Sequence, residues 1–196
     1  MAPPIATLAE LYTRQERWAE AEPLYGRLLE HADETPTVRT QSLVAVLSRL
    51  ARVYRALGRG SEALPLYERA LALQEAERQR LLAAGGEAPA RAIRVGTTFL
   101  LTELLRPYAE ELHAQRRLED AAAAYRRGQA LVEDAIAHEV DHAASTRASA
   151  RGLMRDLATL LVAYAALLRE QGRPDANVVA ARAATLQAAA TAPPEP

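Results

Sequence analysis

The chain repeats itself. Residues 5–30 (IATLAELYTRQERWAEAEPLYGRLLE) align without a gap on residues 47–72 (LSRLARVYRALGRGSEALPLYERALA). A repeat of this length is a supersecondary unit that cannot bury its apolar face alone. It has to stack on further copies of itself, and that requirement excludes most globular architectures at once.

The spacing within each copy specifies the unit. Ile5, Leu8, Ala9 and Tyr12 in the first copy correspond to Leu47, Leu50, Ala51 and Tyr54 in the second, at i, i+3, i+4 and i+7. That is one face of an α-helix. A polar break follows, Gln15-Glu16-Arg17 in one copy and Gly58-Arg59-Gly60 in the other. A second stripe then runs Ala21, Leu24, Tyr25, Leu28 and, in parallel, Ala63, Leu66, Tyr67, Ala70. Each copy reads as helix, tight turn, helix. Pro23 and Pro65 are expected in the first turn of the second helix, where an amide proton has no intrahelical acceptor.

A third copy carries Leu105, Tyr108, Ala109 and Leu112, then Ala121, Ala124, Tyr125 and Gly128. A fourth carries Leu161, Tyr164, Ala165 and Leu168, a break at Gly172, and an alanine-rich helix in which Ala176 and Ala183 compete with Asn177 and Ala184 for the buried stripe. The first small residue of the second helix recurs after 42, 58 and 56 residues, at positions 21, 63, 121 and 177. A minimal helical-hairpin repeat needs roughly 34. The surplus reads as helix extension over 71–83 and 129–143. Gly85-Gly86 and Pro89 mark a connection, Thr35-Pro36 an N-cap with a first-turn proline, and Pro107 a kink or break. The expectation is one all-α repeat domain over 1–190, with hairpins at about 2–33, 36–84, 90–143 and 146–190, and a disordered tail at 191–196.

Composition narrows the function classes. The 24 basic residues, all arginine, nearly balance 25 acidic ones, and the net charge of -1 gives no general attraction to nucleic acid or to an anionic membrane. No cysteine is present, so disulfides, thiolate metal sites and thiol catalysis drop out. No secretory signal opens the chain and no apolar run spans a bilayer, so a cytoplasmic location is expected.

The combination of large apolar residue, Leu-small, Tyr, turn glycine, small residue, aromatic and small residue resembles the tetratricopeptide repeat family. It reads Leu47, Leu50-Ala51, Tyr54, Gly58, Ala63, Tyr67 and Ala70 in the second copy. AEPLYGRLLE and ALPLYERALALQE are similar to the kinesin-light-chain-like subtype common in bacterial proteins. The third copy departs by placing Arg116 at the turn glycine, the fourth is degenerate in its second helix, and the closing proline is missing throughout. The resemblance implies a right-handed superhelical solenoid of about four antiparallel hairpins, the later ones with extended helices. It implies a non-catalytic protein-interaction module without cofactors. A partner peptide or protein surface would lie in a concave groove lined by the first helix of each hairpin. On these positions the groove carries Glu10, Thr13, Arg14, Arg49, Arg52, Arg55, Arg106, Glu110, His113 and Arg169. Arg49, Arg52 and Arg55 share one side of their helix. They form either an electropositive strip for an acidic peptide or terminal carboxylate, or a solvated face. The chaperone-binding carboxylate clamp of the family is not expected, since the chain has no lysine and its one asparagine, Asn177, falls outside the groove. Self-association as a scaffold is the alternative.

Two strings invite catalysis. His138-Glu139-Val140-Asp141-His142 matches H-E-x-x-H, which on a helix offers two imidazoles and a glutamate to zinc. A charged Asp141 between the histidines, no glycine-and-histidine extension and only a distant Glu170 as third ligand speak against a hydrolase. The expected reading is a polar helix face, and adventitious metal binding by His138 and His142, helped by Asp134, is more plausible than catalysis. Gly58-Arg59-Gly60-Ser61-Glu62-Ala63 fits a loose dinucleotide fingerprint but joins two helices, whereas that fingerprint needs a preceding strand.

Overall fold

A computed structural model describes residues 4–34, 40–86, 100–139 and 146–191. All its regular elements are helical: α1 (Ile5–Arg14), α2 (Trp18–Glu34), α3 (Thr40–Ala56), α4 (Gly60–Ala84), a π-helical segment Leu100–Leu105 running into α5 (Arg106–Ala114), α6 (Leu118–Glu139), α7 (Thr146–Glu170) and α8 (Ala176–Thr191). They pair as four hairpins, α1/α2, α3/α4, α5/α6 and α7/α8. The chain divides into two compact units, Met1–Gly85 and Gly86–Pro196, each holding two of them. Among the described residues no helix is long and apolar enough to cross a membrane.

One turn is used four times. In each hairpin a residue at positive φ follows the first helix: Glu16, Gly58, Arg116 and Gly172. The next amide reaches back five residues, Arg17 to Tyr12 (2.9 Å), Arg59 to Tyr54 (2.8 Å), Arg117 to Leu112 (2.9 Å) and Arg173 to Leu168 (2.8 Å). This is the Schellman closure, which satisfies helix-end carbonyls and reverses the chain. Glycine reaches that left-handed conformation freely at Gly58 and Gly172. At Glu16 and Arg116 the same bonds hold a residue with a Cβ in it. The arginine after the turn is fixed from both sides. Arg17 and Arg59 lie over the rings of Tyr12 and Tyr54, at 4.3 and 4.5 Å. They also bond Glu20 and Glu62 in the following helix at 2.6 Å, and Arg117 bonds Asp120 in the same way.

Small residues lie where the helices close on one another. Ala9, Ala51, Ala109 and Ala165, each seven residues before the turn residue, are fully buried, as are Ala21, Ala63 and Ala121 in the second helices. Tyr25, Tyr67 and Tyr125 are buried one turn later. In the first unit Ala9, Ala21, Tyr25, Leu50 and Val53 form a cluster against which Tyr12 and Tyr54 pack half-buried. Burying a large side chain of this kind contributes roughly 1.5–3 kcal/mol. In the fourth hairpin Ala176 and Ala183 take the buried stripe, and Asn177 and Ala184 are exposed. There the first buried small residue, Ala176, comes four residues after the turn residue, against five in the other hairpins, and it opens α8 itself.

Three expectations change. Pro23 and Pro65 stand in the second turn of α2 and α4, because those helices start directly after the turn arginine, at Trp18 and at Gly60. Both prolines are exposed, so water serves the carbonyls they leave unbonded. The break at Pro107 takes the form of a change of helix type, π-helical up to Leu105 and α-helical from Arg106. Thr191 closes α8 rather than opening a tail. The N-cap proposed at Thr35-Pro36, Pro89, and residues 192–196 lie outside the described residues.

Candidate functional site

The first helices of the first unit meet at their polar faces. The Glu10 carboxylate of α1 accepts from the Arg49 guanidinium of α3 at 2.5 Å, both side chains more than a third exposed. Arg14 lies one turn beyond Glu10 on α1, and Arg52 one turn beyond Arg49 on α3. Both are exposed, and neither forms a salt bridge among the described residues. Arg55 is half-buried and engaged. Of the sequence-derived groove residues here, Glu10 and Arg49 are brought into contact, and Arg14 and Arg52 are exposed one turn along their helices.

Thr13 does not join them. It is buried, and its hydroxyl donates to the Ala9 carbonyl (2.8 Å) and lies 3.3 Å from the Tyr25 phenol. A threonine on the third helical step from Glu10 falls toward the hairpin partner, where its methyl packs and its hydroxyl is satisfied by its own helix. Thr13 is therefore part of the α1/α2 packing and not a groove residue.

In the second unit the charges are largely spent on each other. Arg106 bonds Glu110 at 3.1 Å along α5. His113 Nε2 lies 2.5 Å from a Glu170 oxygen on α7, and Arg116 takes the other oxygen of that carboxylate. Asp156 on α7 has its carboxyl pushed above the ordinary value by burial, with Arg155 and Arg106 pulling the other way. Arg169 is exposed and forms no salt bridge among the described residues. The pairs across helices were not readable from the sequence, which fixes faces but not the distance between separate helices.

Among the described residues no group of three or more histidine and acidic side chains is placed to hold a metal ion. Glu139 closes α6, while Val140, Asp141 and His142 and the side chains of His138 and Asp134 lie outside the described residues. Glu170, the distant third ligand, is engaged by His113 and Arg116. Gly58-Arg59-Gly60 is one of the four helix-reversing turns. A wide, shallow depression at the α5/α6 and α7/α8 turns is lined by Arg116, Arg117, Glu119, Asp120, Gln171 and Arg173. Its arginines answer to Glu170, Asp120 and Asp175.

No curated protein matches the chain. Among solved structures the chain is similar to BtubC (BKLC) from P. vanneervenii, at 19% identity over 98% of this chain and 82% of that one, with a TM-score of 0.44. It is also similar to the nearly identical TPR-like repeats of a kinesin light chain from Podosopora anserina, at 20% identity over 96% of both chains, with a TM-score of 0.36. Residues 4–76, which hold the two best-matched copies, match the tetratricopeptide repeat model. That segment, with its alanine–tyrosine stripes buried, is what the chain shares with the tetratricopeptide repeat family.

Proposed function

We propose that the chain is a non-catalytic interaction module whose first unit holds an acidic segment of a partner protein across α1 and α3. Tetratricopeptide repeats generally mediate protein–protein interaction. The observation that carries the acidic preference is the pair Arg14 and Arg52. Both are exposed, Arg14 on α1 and Arg52 on α3, each one turn on from a member of the Glu10–Arg49 pair and neither in a salt bridge among the described residues. Guanidinium forks grip carboxylates in two-pronged geometry, so a strip of them favours an acidic peptide over a neutral one. Arg49 and Arg55, already engaged, shape the strip's edges.

Selection of peptides from a random display library against the full chain tests this reading. Acidic sequences should be enriched. The best of them should bind the Arg14→Glu/Arg52→Glu variant at least about tenfold more weakly, a loss of about 1.4 kcal/mol, and more weakly at high salt. Enrichment without acidic character, or affinity unchanged in a variant with the wild-type circular dichroism spectrum, would remove the proposal.

A further inference from the structure

The two best-matched hairpins present the same stacking surface, covered in the second and bare in the first. Hairpin α3/α4 docks on hairpin α1/α2 through a ridge on α3. Leu47, Leu50 and Val53 are buried along it, and Leu50 and Val53 share one cluster with Ala9, Ala21 and Tyr25 of the hairpin before. Two arginines fasten the edges. Arg59 reaches Glu22 at 2.8 Å and Arg69 reaches Asp33, both carboxylates on α2. In the second unit Arg182 of α8 reaches Glu133 of α6 at 2.7 Å in the same way. The earlier helix supplies the carboxylates, and the hairpin that follows supplies an apolar ridge and arginines.

Hairpin α1/α2 carries that receiving set itself. At a distance of 42 residues, Leu47, Leu50 and Val53 correspond to Ile5, Leu8 and Leu11, and Arg59 and Arg69 to Arg17 and Arg27. Leu47 and Val53 are fully buried, whereas Ile5 is 36% and Leu11 47% exposed. Arg27 is exposed and forms no salt bridge among the described residues. Arg17 Nη1, the counterpart of the nitrogen that Arg59 gives to Glu22, faces Gln15 Oε1 at 3.4 Å. This flank is not the side that carries Glu10 and Arg14. Leu8 lies about 160° around α1 from Glu10, so a segment held beside Arg14 and Arg52 leaves it uncovered. On α3 the same two sides coexist, Leu50 buried against the preceding hairpin and Arg52 exposed.

Charge selects what fits there. Glu22 and Asp33 stand eleven residues apart on α2, about 16 Å along the axis, with Tyr25 between them. At the corresponding positions α4 has Leu64 and Glu75, α6 has Ala122 and Glu133, and α8, counted from the buried Ala176, has Asn177 and Ala188. None of these offers the pair of carboxylates to a second copy of the chain. We infer that the bare flank of the first hairpin docks an amphipathic helix of another protein, which takes the place of a preceding hairpin. That helix sets apolar side chains against Leu8 and Leu11 and two carboxylates, eleven residues apart, against Arg17 and Arg27.

The probe is a fluorescein-labelled peptide of residues 18–34, the helix that the second hairpin already recognises, hydrocarbon-stapled between positions 23 and 30, which are exposed on α2. Its twin carries Glu22→Lys/Asp33→Lys. Anisotropy titration of the full chain should give at least about tenfold tighter binding of the first peptide. In the protein, Arg27→Glu should narrow that gap to about threefold or less. Leu11→Asp should weaken both peptides, and the uncharged Leu11→Ala should act in the same direction. Because Leu11 is half exposed, these variants should keep the wild-type circular dichroism spectrum. Arg14→Glu/Arg52→Glu should leave the affinity unchanged, since a peptide held on the other side of α1 would lose it. Arg69→Glu should also leave it unchanged, since a peptide that had displaced α2 from the second hairpin would depend on that arginine. Equal affinity for the twins, no binding of the first peptide, indifference to Leu11→Asp, or a loss in either control variant overturns the inference. So does a dimer in light scattering that Leu11→Asp disperses, because a second copy would then occupy the flank.

Discussion

Tyr125 of α6 stacks on Tyr164 of α7, with ring centroids 5.6 Å apart and planes inclined by 25°. The contact joins the second helix of the third hairpin to the first helix of the fourth, so it belongs to the stacking of hairpins and not to either hairpin alone. Removing the ring should therefore weaken the unit as a whole. Tyr125→Ala is expected to cost about 3–5 kcal/mol, the range for deleting a buried aromatic ring. Tyr164→Phe keeps the stack and should fall within about 1 kcal/mol of wild type. Urea denaturation followed by circular dichroism measures both, and similar losses in the two variants would show that ring stacking is not what holds α6 to α7.

The residues that set this stacking were readable in advance, because burial imposes a period and side-chain size on them. Ala9, Ala51, Ala109, Ala21, Ala63 and Ala121 are small where two backbones close in, and Tyr25, Tyr67 and Tyr125 fill the space that leaves. The fourth hairpin was ambiguous by one residue because alanine occupies nearly every position there, and composition without contrast fixes no register. The turns were only half legible. Glycine announced Gly58 and Gly172, whereas Glu16 and Arg116 adopt the same positive φ through hydrogen bonds that no side chain advertises. The groove residues separated for a similar reason. Helical spacing placed Glu10, Arg14, Arg49 and Arg52 on outward faces, but Thr13 turned inward, and the Glu10–Arg49 and His113–Glu170 pairs depend on distances between helices far apart in sequence.

Ala63 is fully buried at the start of α4, where α3 approaches it. Ala63→Arg has to place a long cation in a space made for a methyl group, combining overpacking with an unpaired buried charge. A loss of at least about 3 kcal/mol follows. Ser61→Arg, two residues earlier on the exposed side of the same helix, should change stability by no more than about 0.5 kcal/mol. Thermal melts of the pair separate a packing requirement from a general intolerance of charge in α4. A wild-type melt for Ala63→Arg would contradict the close approach of the two helices.

Acid affects the carboxylates in two opposite ways. Glu20 and Glu62 are held below the ordinary 4.5 by hydrogen bonds from Arg17 and Arg59, so the stability they contribute is present above that value and fades as pH falls through their lowered folded values. Asp156 runs the other way. Burial raises its carboxyl above 3.8, so the folded state binds its proton more tightly than the unfolded state does, and stability falls as pH rises from 3.8 through the raised value. At neutral pH the ionised Asp156 is therefore a net cost despite Arg155 and Arg106. Asp156→Asn is expected to melt higher than wild type at pH 7, with the gap closing toward pH 3. Paired thermal melts across that range check it. A lower melting temperature at pH 7 would mean that the arginines outweigh the burial.

Glu10 sits in the surface proposed to bind an acidic partner and occupies one of its cations. Its bond to Arg49 joins two side chains more than a third exposed, and an exposed pair of this kind contributes at most about 1 kcal/mol to stability. Its effect on binding should be larger than its effect on folding. The carboxylate both neutralises Arg49 and repels any acidic ligand approaching Arg14 and Arg52. Glu10→Gln keeps the shape of the side chain, removes the charge and frees the Arg49 guanidinium to turn toward the ligand. The expected result is tighter binding of acidic peptides, by a few-fold to about tenfold, with the melting temperature nearly unchanged. The gain should vanish at high ionic strength, where exposed charges are screened. Glu10→Gln/Arg49→Gln should lose the gain, because the cation that was released is then absent. A single variant that binds no better than wild type at low salt would place the ligand away from α1 and α3.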